Sequence, residues 1–238
     1  MTRTALALSP HLDDAAFSAG ATLAGLAREG WRVVVATLFT GNVARPTGFA
    51  LECQTSKGIG PEVDYMALRR AEDARACAAL GAEPVHLPLL EAPHRGYEDA
   101  AALFGPTHGD DPAAAQLGPA IDGLLDRHRP DLLLAPQAIG GHVYHVLVHA
   151  AALASRAPRL WFWPDWPYVR RADAAEPFGP AMRALHAAST EPAGADLLAK
   201  RSACHAYASQ LGFQFGGPQA LDRALADGGA EVFAILER

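Results

Sequence analysis

Two short stretches of this 238-residue chain hold side chains whose types and spacing could do chemistry. The first is Pro10-His11-Leu12-Asp13-Asp14, an imidazole beside two adjacent carboxylates at the end of an apolar run. The second is Gly140-Gly141-His142-Val143-Tyr144-His145, with His149 one helical turn after His145. An Asp before a helix is explained as a cap that accepts a backbone N–H. That accounts for Asp13 or Asp14, but not for both, and it leaves His11 without a role. A lone His would read as an ordinary surface or core residue, whereas three within eight positions shift the balance. These are donors for a borderline cation such as zinc, whose catalytic sites take about three protein ligands from imidazole nitrogen and carboxylate oxygen and keep one position open. His11, one Asp and one of the later His residues make up such a set. A metal held there lowers the pKa of water towards ~7 and polarises a carbonyl, leaving the spare carboxylate to take a proton.

The two stretches are useful only if the fold brings them together. Residues 4–8 read as a strand, 15–29 as an Ala- and Leu-rich helix closed by Gly30, and 31–39 as a buried strand, which makes one βαβ unit. Further along, 66–80 reads as a helix ended by Gly81, 84–88 as a brief strand, 112–127 as a helix, 131–135 as a strand, 145–155 as a helix and 159–163 as a strand. A helix at about 196–209 and a last strand at 231–236, with no evident place in the sheet, complete the chain. Strands regularly separated by helices favour a mostly parallel sheet covered on both faces, here a Rossmann-like three-layer α/β/α fold in a single domain spanning 1–238. In a sheet of order 3-2-1-4-5, ligands bind in the crevice outside the carboxyl ends of strands one and four. If 131–135 is strand four, both stretches face that crevice. The segments 40–64 and 91–111 are long and rich in Gly, Pro and polar residues, and loops of that length in a compact domain are more often functional than idle.

Composition removes several other classes. Half the residues are apolar and 19% are charged, ample for a core and unlike a disordered chain. A net charge of −6 without a Lys/Arg run gives no footprint for nucleic acid. Cys53, Cys77 and Cys204 form neither a CxxC pair nor an even set, which argues against disulfides and a thiolate zinc site and fits a reducing cytoplasm. The N-terminal apolar run is broken at once by Pro10, His11 and two Asp, and no other run approaches the roughly 20 residues of a membrane span. We therefore expect a soluble cytoplasmic protein; a homo-oligomer stays open. The first βα turn lacks GxGxxG, and its acidic side chains would repel a pyrophosphate. GxSxG does not occur either, so a Ser-His-Asp hydrolase has no support. The Gly20 and Gly25 spacing reads as close helix packing.

With these residues in place, the chain resembles the PIG-L (LmbE-like) de-N-acetylases, whose first motif is usually His-Pro-Asp-Asp-Glu after a strand; here it stands as His11-Leu12-Asp13-Asp14-Ala15. The family's second motif, His-Pro-Asp-His or His-Val-Asp-His, matches His142-Val143-Tyr144-His145. Weaker likenesses are Arg69-Arg70-Ala71-Glu72-Asp73, Trp166-Pro167-Tyr168, and Lys200 with Tyr207-Ala208-Ser209-Gln210. The resemblance implies that His11, Asp14 and His145 hold Zn2+ or another divalent metal, that Asp13 is the general base, and that His142 is the cation or acid that stabilises an oxyanion. It also implies a hydrolase that removes an acetyl group from an N-acetylated amino sugar or a related small conjugate. The alternatives are a non-catalytic relative that binds metal or ligand and, more weakly, a nucleotide-binding transferase. Leu12 and Ala15 depart from the family pattern outside the ligand positions. Tyr144 stands where an acidic residue usually orients the helper His or raises its pKa, and a neutral phenol does this less well.

The remaining candidates are substrate contacts. Arg69 could bind substrate or pair on the helix surface with Asp73, and Arg95 and Tyr144 could reach hydroxyls of a sugar. Trp161, Trp163 and Trp166 could form a stacking platform or pack in the core. Glu98 and Asp99 read as surface.

Overall fold

The strands are apolar on both faces because each is sandwiched between helices. In β1 (Thr4–Ser9) every residue is buried, with Leu6 and Leu8 packed in one hydrophobic cluster and Ala5 and Ala7 in another. The computed structural model describes residues 2–227 and 230–238. The other strands are β2 (Arg32–Thr37), β3 (Glu83–His86), β4 (Leu132–Pro136), β5 (Arg159–Trp163), β6 (His186–Thr190) and β7 (Glu231–Glu237). They form one seven-stranded sheet of order β3-β2-β1-β4-β5-β7-β6. Strands β1 to β5 run parallel in the expected 3-2-1-4-5 order, and β7 enters antiparallel between β5 and β6. The three-layer α/β/α expectation therefore holds, and the last strand finds its place.

The helices are α1 (Asp14–Arg28), α2 (Gly48–Thr55), α3 (Tyr65–Leu80), α4 (Ala100–Leu103), α5 (Pro112–His128), α6 (Val143–Ala154), α7 (Gly179–Arg183), α8 (Gly194–Ala206), α9 (Ala208–Phe215) and α10 (Pro218–Ala226). Leu117 and Ile121 of α5 and Val148 of α6 cover one face of the sheet, while Phe17 and Leu23 of α1, Cys77 and Leu80 of α3 and Cys204 of α8 cover the other. A Cβ on Gly20 would lie 3.0 Å from Lys200 Cγ, which explains a glycine where α8 crosses α1. All three cysteines are free, and among the described residues no helix is long and apolar enough to cross a membrane.

Three departures from the sequence reading have local causes. The helix read at 196–209 is two, parted at Tyr207, because the Tyr207 hydroxyl donates to Asp73 (2.7 Å) and the Ser209 N–H to Glu72 (2.8 Å), pinning the junction to α3. The segments 40–64 and 91–111 contain α2 and α4, helices too short to leave a clear periodicity. Strand β6 reads His-Ala-Ala-Ser-Thr and lies half exposed at the sheet edge, so it lacks the apolar run that marks a buried strand.

Candidate metal centre and catalytic pocket

The turn from β1 into α1 is closed by its own side chains. Ser9 Oγ donates to His11 O (2.6 Å) and accepts from Ala15 N (3.0 Å). Leu12 is fully buried against Tyr65 and Met66, so the residue that replaces the usual proline anchors the turn to α3. His11, Asp13 and Asp14 are thereby held at the carboxyl end of β1. Residues 140–145 stand beside them because β4 is the neighbour of β1. Gly140 has φ 96°, and a Cβ there would lie 2.9 Å from the Tyr168 side chain, so only glycine lets that ring close in.

His11, Asp14 and His145 meet. Asp14 Oδ2 accepts from His11 N (2.7 Å) and lies 2.9 Å from His11 Nδ1 and 3.3 Å from His145 Nε2; the two imidazole nitrogens are 3.3 Å apart. One donor atom from each residue falls within 4.8 Å of the others, and Asp14 and His145 are buried. This donor set, two imidazoles and a carboxylate, fits a divalent cation such as zinc with positions left over. Burial alone would raise the Asp14 pKa; His145 and His11 outweigh it and hold the carboxyl well below its usual range. Burial works against protonation of His145 as well, but Asp14 and Asp165 push its pKa up to about 10.

Asp165 was not singled out from the sequence. Its Oδ1 lies 2.6 Å from His145 Nδ1, and its Oδ2 accepts from Ile139 N at 2.8 Å. It thus directs His145 Nε2 towards Asp14 and His11, the arrangement by which a carboxylate orients a metal-ligating imidazole. A signal was available: Asp165 follows β5 within two residues, at the same carboxyl edge that drew attention to His11.

Asp13 is not one of the converging donors, although it lines the same cavity as His11 and Asp14. Its Oδ2 accepts from Gln214 Nε2 (3.0 Å) and lies 3.3 Å from Arg69 Nη2. Among the described residues Oδ1 has no hydrogen-bond donor. Burial raises the Asp13 pKa to about 6, against the lowering pull of Arg69. Arg69 is buried, its Nη1 lies 3.5 Å from Glu91 Oε1, and its Nε has no partner among the described residues. The surface pair with Asp73 does not form, because Asp73 instead meets His86 Nε2 (2.7 Å) and the Tyr207 hydroxyl.

His142 caps α6, its Nδ1 accepting the Tyr144 N–H at 3.4 Å, which leaves the ring proton on Nε2. Burial, with His11 and His145 nearby, holds its pKa well below the usual value, so this imidazole is a neutral donor rather than a cation. The Tyr144 hydroxyl accepts from Ala92 N, and its ring stacks on Phe39 at 4.5 Å and meets the His142 ring edge-on at 4.9 Å, so its hydroxyl serves the backbone and its ring the packing. Tyr144→Phe should therefore act chiefly on stability. A buried N–H left without an acceptor costs about 1–3 kcal/mol, a drop of several degrees in Tm for a domain of this size. Calorimetry decides it, and an unchanged Tm would show that the Ala92 contact contributes nothing.

His11, Asp13, Asp14, Arg69, His142 and Tyr144 all line one cavity of about 140 Å3, with Glu91, Tyr168, Gln210, Phe213 and Gln214 completing much of its wall. Arg95 does not reach it: the guanidinium is buried in an ion pair with Asp111 and donates to Leu90 O. Trp163 is in the core, Trp161 lies against Phe233 and Trp166 stacks on Phe215, so no tryptophan platform lines this cavity. Asp99 caps α4 through Ala102 N. A larger, mainly apolar groove of about 820 Å3 lies among α1, α8 and α10, away from these residues.

Comparison with known proteins agrees with this geometry. The family described as PIG-L: GlcNAc-PI de-N-acetylase matches residues 6–155, which include both motifs. A 2'-N-acetylparomamine deacetylase of Streptomyces fradiae is 34% identical over 175 residues, 72% of this chain; the chain spans 60% of that relative's length. The zinc-inhibited form of a teicoplanin deacetylase superposes with a TM-score of 0.81 at 26% identity, covering 99% of this chain and 98% of that one. A pseudoaglycone deacetylase superposes with a TM-score of 0.79 at 30% identity, with the same coverage. By the family match over most of its length, and by the motifs that carry it, this chain belongs to the PIG-L family.

Proposed function

We propose that this protein is a zinc-dependent N-deacetylase that hydrolyses the acetamido group of an N-acetylated amino sugar or a small conjugate of one. The observation that carries this reading is the separation of two roles on adjacent residues: Asp14 joins the His11/His145 cluster, while Asp13 stays outside it on the wall of the same cavity with, among the described residues, one carboxylate oxygen free of donors. The names of the relatives, deacetylases of acetylparomamine and of teicoplanin, support the reaction type and the sugar-type substrate.

His11, Asp14 and His145 would hold the metal, with His145 steadied by Asp165. Zinc, when bound, supplies Lewis-acid polarisation of water and of the amide carbonyl. Asp13 Oδ1 takes the proton of the attacking water, while Arg69 and Gln214 keep the other oxygen in place. His142 Nε2–H donates to the carbonyl oxygen as it becomes negative, the task of an oxyanion-hole donor. Asp13 then returns its proton to the amine nitrogen as the C–N bond breaks, leaving acetate and a free amine. Glu91, on the cavity wall, offers an acceptor for substrate hydroxyls.

Zinc-replete protein should release acetate from N-acetylglucosamine derivatives, and stripping the metal with a chelator should abolish turnover until zinc is restored. Enzymatic assay of acetate measures both. Bound zinc without acetate release would favour the non-catalytic alternative, a protein that keeps the fold and the metal.

A further inference from the structure

The chain has nine Phe, five Tyr and four Trp residues. Among the described residues only two of these aromatic side chains are exposed, Phe213 at 69% and Phe104 at 41%. Phe213 lines the metal-centre cavity, and Phe104 packs against two residues of its wall. Phe213 lines it from the side of Lys57 and Tyr65, the Lys57 ammonium lying 5.0 Å from its ring centroid. The Phe104 ring lies 5.0 Å from that of His142 and 6.0 Å from that of Tyr168. Leu103 and Pro93 extend the apolar lining between the metal-centre residues and the rim.

Single exposed apolar side chains are ordinary, whereas apolar surface that continues into a cavity marks a ligand-binding groove. The cavity's size argues in the same direction. About 140 Å3 is small against the roughly 300–1,000 Å3 of a pocket that engulfs a whole drug-sized ligand. It suits the acetamido end of a substrate whose remainder must leave over the exposed rings of Phe213 and Phe104.

We infer that Phe213 and Phe104 form a specificity subsite for an apolar, planar aglycone, so that the preferred substrates are N-acetylamino sugars linked to an aromatic group rather than the free sugar. This rests on the deacetylase reading for its chemistry, but the subsite is defined by binding and can be tested without turnover. Offset or edge contacts with a ring are worth enough to raise affinity about tenfold.

The probes are N-acetylglucosamine, its methyl and 4-nitrophenyl glycosides, and N,N'-diacetylchitobiose, measured by calorimetric titration and by acetate release with zinc-loaded protein. The 4-nitrophenyl glycoside should bind about tenfold more tightly than the methyl glycoside, and its advantage should appear in KM more than in kcat. Phe213→Ala should shrink that aryl-to-methyl affinity ratio towards one, and Phe213→Trp should restore it. Equal affinities in the wild type, or a ratio that Phe213→Ala leaves intact, would overturn the subsite. A gain for the disaccharide as large as for the aryl glycoside would also overturn it, since the rings would then be reading a second sugar. An aryl preference in binding without acetate release would sink the deacetylase reading and leave the subsite standing.

Discussion

Asp13→Asn should lower the rate of acetate release by about a hundredfold or more while the zinc content stays at the wild-type level. The magnitude is that of a lost general base. The reason to expect metal retention is geometric: Asp13 is not among the three residues whose donor atoms converge, and Asp14 is. An asparagine still offers an oxygen to Arg69 Nη2 and Gln214 Nε2, which lie 3.3 and 3.0 Å from Asp13 Oδ2, so the side chain should keep its place. What it loses is the ability to take a proton on the oxygen left without a donor. Elemental analysis together with a steady-state assay separates the two quantities. A variant with near-normal turnover would move the base elsewhere, and Glu91 is the next carboxylate on the cavity wall.

His11→Ala, Asp14→Ala and His145→Ala should each lose most of the bound zinc, since each removes one of only three protein donors in the cluster. Asp165→Asn should give an intermediate result. Both Asp165 oxygens accept, one facing His145 Nδ1 and the other Ile139 N, and an amide can satisfy only one of these donors. Loss of such an orienting partner typically weakens metal affinity by about 10- to 100-fold. Zinc stoichiometry after dialysis against a competing chelator ranks the four variants, and circular dichroism confirms that they remain folded. Wild-type stoichiometry in all three Ala variants would remove the metal assignment, and full affinity in Asp165→Asn would leave Asp165 as packing.

The contrast between Asp14 and Asp165 shows what could be read from the chain alone. Asp14 lies next to His11 and Asp13 in a run whose residue types already suggest metal chemistry, so local spacing was enough to mark it. Asp165 follows a strand without any such neighbours, and its role exists only because β5 lies beside β4 and turns it towards His145. Gln214 is more distant still, coming from α9 to reach a carboxylate 201 positions earlier. Arg95 illustrates the reverse case. Its place in a polar loop suggested a sugar contact, yet Asp111, 16 residues on, draws it into a buried ion pair away from the cavity.

Alternation of short apolar runs with helical-period segments, and an acidic HLDDA turn in place of a glycine-rich one, were sufficient for the layered sheet and for the position of its crevice, because strand burial and helix amphipathicity are written in local periodicity. The insertion of β7 between β5 and β6, the break of the late helix at Tyr207, the alignment of Asp165 behind His145, and the placing of Phe213 on the cavity and of Phe104 against His142 were decided by the tertiary structure. These depend on side chains far apart in sequence meeting across layers, and a pattern of residue types along one strand or helix carries no record of which distant partner it will face.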